Sequence, residues 1–203
     1  MAYEKSLRLS PENSGTSNAL ARALSDQGAA LLEAGEKAKA LEIFRRAQSL
    51  SEALPAAEFG VGRALEAMGD VDGAIQAYLR TIEIEPAGYD PYQALDRIFA
   101  AQEKLGELEG LWREMVERHP DRQQAWFCLG LARERKDDLE GAIAAYEQSL
   151  RIAPESSGTQ QAIARALRAA GALLEQRGED GAAREYYRRA EAITPSVEPI
   201  SAE

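Results

Sequence analysis

Only a handful of side chains in this sequence could do chemistry of their own, and their spacing decides against each. Cys128 is the sole cysteine and His119 the sole histidine, so neither a disulfide nor a His/Cys metal cluster can be assembled. A nucleophilic Cys128 would need a histidine base in phase with it; His119 instead precedes Pro120, where a polar side chain suits the exposed carbonyls of a helix end. Cys128 is therefore expected to be a small packing residue. Asp70-Val-Asp72-Gly opens like a calcium loop, but Thr81 stands where the bidentate acid of position 12 is required. It reads as a turn between helices. Ser14-Gly-Thr and Ser157-Gly-Thr lack the Gly-Lys that completes a phosphate loop and follow no strand, so they are expected to cap helices, with Ser14 or Thr16 and Ser157 or Thr159 accepting a backbone N–H. No general acid, base and substrate position come together: no catalytic residue, cofactor or metal ligand is expected.

Composition narrows the field further. The 203 residues are 45% hydrophobic but only 6% aromatic, and the formal net charge is −10. An acidic excess repels a polyanion, which argues against nucleic acid. No apolar run approaches the ~20 residues of a membrane span, and the first residues lack the apolar core of a secretory signal, so a cytoplasmic protein without membrane contact is expected.

The prolines expose a period. Pro86, Pro120 and Pro154 are 34 residues apart, each after an apolar-periodic segment. Twelve residues before them stand Ala74, Leu108 and Ala142; four residues later come Tyr78, Trp112 and Tyr146, then Thr81, Met115 and Ser149. That spacing lies on one helical face. An upstream helix carries Val61, Gly62 and Leu65, then Leu95, Asp96 and Phe99, then Trp126, Leu129 and Gly130. Displaced in phase, Leu24, Gly28 and Leu31 lead to Ala40, Phe44 and Ala47, while Leu167, Gly171 and Leu174 lead to Ala183, Tyr187 and Ala190. Most of the large aromatics are thus expected in the core, Tyr186 alone standing outside the pattern.

This grammar resembles the tetratricopeptide repeat, the best match being Trp126, Leu129, Gly130, Ala142, Tyr146 and Pro154, with Arg133 departing where the first helix carries an aromatic. The resemblance implies an all-α, right-handed superhelical solenoid of helix-turn-helix repeats forming a single array. Repeats are expected at 21–54, 55–88, 89–122, 123–156 and 164–197, extensions at 13–20 and 157–163, and a tail at 198–203. Residues 1–12 would be the second helix of a partial repeat. Ala2-Tyr-Glu-Lys-Ser-Leu-Arg reads beside Ala145-Tyr-Glu-Gln-Ser-Leu-Arg at an offset of 143, four periods of 34 plus seven. The pattern therefore opens inside a repeat, and the sequence is expected to be a segment of a longer array, with long helices near 16–34 and 159–177.

Such repeats stack their hairpins and leave a groove lined by the first helices. Helix phase places Phe59, Arg63, Gln93, Arg97, Phe127, Leu131, Arg165 and Arg168 there, with Arg22, Ser25, Ala29 and Ala172 at related positions. Aromatic and Arg side chains dominate interface energies, and guanidiniums select carboxylates. The function expected is a non-catalytic scaffold that binds a peptide or protein. Two alternatives stay open: a regulatory or substrate-docking segment of a larger enzyme such as a glycosyltransferase or methyltransferase, and an architectural array that self-associates. In the latter, Tyr3, Leu7 and Leu9 at one end, with Tyr186 and Ile193 at the other, would form a homodimer.

Overall fold

The computed structural model describes residues 13–193, so the second helix expected at 1–12, its Tyr3, Leu7 and Leu9, and the tail at 198–203 lie outside the described residues. Those described form helices and no strands, divided into two compact units between Ile98 and Phe99. The first holds α1 (Ser14–Glu33), α2 (Lys37–Leu50), α3 (Pro55–Met68), α4 (Val71–Ile84) and most of α5 (Asp90–Ala101). The second holds α6 (Leu105–Arg118), α7 (Gln123–Glu134), α8 (Leu139–Ile152), α9 (Ser157–Gln176) and α10 (Asp180–Ile193).

Several helices start or stop for a local reason. Asp70 and Asp138, 68 residues apart, cap α4 and α8 by accepting from the Gly73 and Gly141 N–H at 3.0 and 2.9 Å. Glu85, His119 and Ala153 end α4, α6 and α8 with φ near −133° and ψ between 73° and 84°. Each precedes a proline, whose ring bars a further helical residue. That proline's carbonyl is left outside the helix, and a side chain six residues on satisfies it: Tyr92 Oη donates to Pro86 O at 3.1 Å, Trp126 Nε1 to Pro120 O at 2.9 Å, and Gln160 Nε2 to Pro154 O at 2.7 Å. Three different donors at one repeat position fasten three equivalent turns.

The expected caps of the two twenty-residue helices are corrected. Asn13, not Ser14 or Thr16, caps α1, its Oδ1 accepting from Thr16 N at 2.9 Å. The N-cap of α9 is Ser156. Both helices begin two residues ahead of 16 and 159, which draws Ser14 and Ser157 into the first turn. Thr159 goes to the interior instead. Its hydroxyl shares a network with Ser149 at 3.2 Å and Ser156 at 2.9 Å, and Gln123 Nε2 donates to Ser149 and Thr159 at 2.7 and 3.1 Å.

Within each unit, sequential helices pair as α1 with α2, α3 with α4, α7 with α8 and α9 with α10. Small residues make this possible. Ala21, Ala40, Ala47, Ala57, Ala64, Ala142 and Ala166 have no exposed surface, so the backbones approach closely and the large rings fill the space between. A Cβ on Gly62 would lie 2.6 Å from the Tyr78 ring, and one on Gly130 2.3 Å from Tyr146. Tyr78, Trp112 and Tyr146 are wholly buried, whereas Trp126 and Tyr187 are half-buried, their polar ends turned to Pro120 O and Glu175.

Candidate protein-binding surfaces

The candidate residues fall into two sets, one in each unit, and each set stands on first helices of hairpins. In the first unit, Phe59, Arg63 and Glu66 follow at i, i+4 and i+7 along α3, one face of the helix. Phe59 is half-buried, its ring centroid 5.4 Å from that of Tyr78, while Arg63 is exposed. Gln93 and Arg97 are exposed on α5. Arg97 reaches back across the hairpin: its Nη2 donates to both Glu66 oxygens at 2.8 Å, and Tyr78 Oη donates to Glu66 Oε2 at 2.7 Å.

The second unit repeats this arrangement 68 residues later. Phe127 packs 5.7 Å from Tyr146, Tyr146 Oη donates to Glu134 Oε2 at 2.7 Å, and Arg165 forks onto Glu134 with Nε at 2.8 Å and Nη2 at 2.9 Å. Leu131 and Phe127 are half-buried against the core of Ile143, Ile163 and Leu167. Arg168 is exposed on α9, near Arg165 in sequence. Position for position, Phe59, Glu66, Gln93 and Arg97 recur as Phe127, Glu134, Gln161 and Arg165; Arg63 changes to Leu131, and Arg168 stands where the first unit has Ala100. Gln161, exposed on α9, is a residue sequence reasoning passed over, although the 68-residue spacing from Gln93 marks it.

The electrostatics follow from this geometry. The Arg97 guanidinium is held above its ordinary pKa by its bond to Glu66, and that of Arg165 by its bond to Glu134. Burial pushes the Tyr78 and Tyr146 hydroxyls up, with donation to the two carboxylates adding to it. Burial also works to raise the Glu134 carboxyl, but the Arg165 and Tyr146 bonds outweigh it and the net direction is down. The guanidiniums are 63% and 58% exposed, so each pair contributes no more than about 1 kcal/mol to stability. Their consequence is orientation: Arg97 and Arg165 are tethered across neighbouring first helices. Arg63 has no hydrogen bond or ion pair among the described residues, though it stands near enough to Tyr78 to act on it electrostatically.

Other sequence candidates are placed differently. Ser25, expected to face the groove, is buried beside Leu24 and Gly28, and its Oγ donates to Ala21 O at 2.9 Å. Tyr186 and Ile193 are half-buried against the second unit's core, with Arg189 over the Tyr186 ring at 5.3 Å. Arg133, which replaces the first-helix aromatic, is explained by Glu109, a buried carboxylate that the sequence pattern hides in an otherwise apolar position. Glu109 accepts from Lys136, from Arg113 at 2.5 Å and from Arg133 Nε at 3.4 Å, and Arg133 Nη1 donates onward to Gly141 O at 3.1 Å. The Lys136 bond, with Arg113 beside it, holds Glu109 at about 2 despite burial. Cys128 is buried, and Asp70 is occupied with Gly73 N. Among the described residues no three His, Cys, Asp or Glu side chains converge on a possible metal position, and no helix is long and apolar enough to cross a membrane.

Models of the tetratricopeptide repeat match residues 25–91 and 121–196. Among solved structures, a MamA protein superposes with a TM-score of 0.50 at 17% identity, over 86% of this chain and 91% of that one. MamA 41-end from Desulfovibrio magneticus RS-1 gives 0.48 at 17% identity, covering 88% and 97%. YrrB, described as a TPR protein with an unusual peptide-binding site, gives 0.49 at 17% identity, covering 97% and 94%. At these identities the MamA likeness speaks for a shared fold.

Proposed function

The chain belongs to the tetratricopeptide repeat family, and from that premise we propose that it is a non-catalytic scaffold binding a peptide or protein partner on the exposed faces of its first helices. Those faces are α3 with α5 in the first unit and α7 with α9 in the second.

The observation that carries this reading is the duplicated face itself. An aromatic, a carboxylate, an amide and a guanidinium recur at the same four places 68 residues apart, and the amide and guanidinium are exposed in both units. The carboxylates also accept from the buried Tyr hydroxyls beneath them, which fixes where they stand. Half-buried Phe side chains packed at a tilt against a buried Tyr ring offer apolar contact at little entropic cost, and tethered guanidiniums offer preorganised donors.

The test is capture of a partner from source lysate by immobilised chain, comparing wild type with Phe59→Ala/Arg63→Glu and with Phe127→Ala/Leu131→Glu. Each variant is first checked for unchanged helical circular dichroism. A protein retained by the wild type and lost by either variant supports the reading. One retained equally by all three overturns it.

A further inference from the structure

Three first helices close on the same pair of side chains, and one of the three pairs is incomplete. Glu66 on α3 accepts from Tyr78 and takes Arg97 from 31 residues further on; Glu134 on α7 accepts from Tyr146 and takes Arg165, again 31 residues on. Glu175 stands at the equivalent place on α9 and accepts from Tyr187 Oη at 3.0 Å, but no guanidinium among the described residues joins it. Tyr187 is half-buried, whereas Tyr78 and Tyr146 are wholly buried. The missing half stands on α1. At the 143-residue offset Arg22 falls at the place of Arg165, and it is exposed, with no hydrogen bond or ion pair among the described residues. The packing surface beside it is open. Ala23 is exposed and Ala19 half-buried, while Ala166 and Ala162, their counterparts on α9, are 0% and 2% exposed in one core with Tyr146 and Phe127.

We propose that the α9–α10 hairpin of a second copy of this chain packs on α1, with Arg22 completing the Glu175–Tyr187 pair and Ala19 and Ala23 lying against that hairpin. Small residues are what this contact needs. A first helix rides over the ring of the second helix before it, as at Gly60, where a Cβ would stand 2.2 Å from Phe44. Ala162 follows Tyr146 at the same sixteen-residue spacing, and Ala19 holds the place of Ala162 on α1. Charge complementarity selects the occupant. Of the described hairpins, α9–α10 is the one with a carboxylate and ring so paired and no guanidinium bound to them, and Arg22 is the cation at the matching position of a first helix. Burial of the small residues and the ring supplies the contact, while the exposed ion pair sets the register. The two surfaces differ, so each copy in such a pair keeps one of them open and association continues past the dimer. The contact uses neither the Phe nor the Gln of the faces proposed for a partner and stands independently of that reading.

The test is sedimentation velocity of the intact chain from micromolar to millimolar concentration. The average mass of the wild type is expected to grow with concentration. Arg22→Glu and Glu175→Arg, each with unchanged helical circular dichroism, should move that growth to about tenfold higher concentration, because each sets like charges opposite one another. The double variant, and an equimolar mixture of the two single variants, should return it to within about twofold of wild type, since both restore opposite charges across the contact. Growth indifferent to both reversals, or restored by neither the double variant nor the mixture, overturns the inference. A wild type that stays monomeric overturns it too, and Ala23→Cys then reads what covers α1 against the background of the buried Cys128. Slow reaction with a thiol reagent assigns the face to residues 1–12 of the same chain; fast reaction shows it uncovered.

Discussion

Replacing Glu109 by Gln tests whether one buried carboxylate organises the second unit's interior. Its side chain is 10% exposed and serves Arg133, 22% exposed, together with Lys136 and Arg113 at 40% and 51%. A carboxyl held at about 2 against an ordinary 4.5 corresponds to about 3 kcal/mol if fully buried. Because two of its three partners reach solvent, about 2 kcal/mol is the expected loss on Glu109→Gln at pH 7. The sign with pH follows from the depressed value: between pH 4.5 and 2 the unfolded carboxyl binds a proton that the folded one refuses. The contribution is complete above pH 4.5 and disappears as pH falls through about 2. The assay is thermal unfolding of wild type and variant, followed by circular dichroism from pH 7 to pH 2. A gap in midpoint of about 4–8 °C at pH 7 should close in acid. Taking the difference between the two proteins cancels carboxylates common to both. A gap that is absent at pH 7, or that stays constant down to pH 2, would refute the reasoning.

Other perturbations address other elements. Gly130→Ala should cost about 2–4 kcal/mol, since the added methyl would stand 2.3 Å from a wholly buried Tyr146 ring, and the loss shows as a lower urea midpoint. Asp138→Ala and Asp70→Ala each remove a cap and should lower stability by about 1 kcal/mol, Asp→Asn costing less, as read by the same titration. Thr159→Val leaves Ser149 and Gln123 short of a partner in a buried network and should cost about 1–3 kcal/mol, whereas Thr16→Val at the matching position of α1, where the side chain is half-buried, should change stability by less than about 0.5 kcal/mol. Trp126→Phe keeps the ring but deletes the bond to Pro120 O; hydrogen exchange at the turn following α6 should quicken while that in the middle of α8 is unchanged.

Much of the fold was legible because helical repeats encode their packing locally. A 34-residue spacing of prolines, with small residues and aromatics at fixed intervals before them, can be satisfied only by two helices and a turn, so the all-α class and the burial of Tyr78, Trp112 and Tyr146 followed from pattern alone. Helix starts were less legible. Asn13 and Ser14 are both good caps in isolation, and residue type alone does not choose between them. Arg133 stood as an isolated departure from the repeat pattern and Glu109 passed unremarked, because a carboxylate and a guanidinium 24 residues apart reveal their pairing only once α6 and α7 are folded together.

The candidate surfaces divide the same way. Residue types, helical phase and the 68-residue recurrence belong to the sequence, since each is a property of position along the chain. Which arginine is tethered does not. Arg97 and Arg165 look as available as Arg63 when read in order, yet two carboxylates on neighbouring first helices hold them, whereas Arg63 has no hydrogen bond or ion pair among the described residues. Periodicity determines which face a residue occupies. Only tertiary structure decides what stands opposite, because a Coulomb interaction depends on distance through space and a repeat places residues 31 apart within bonding reach.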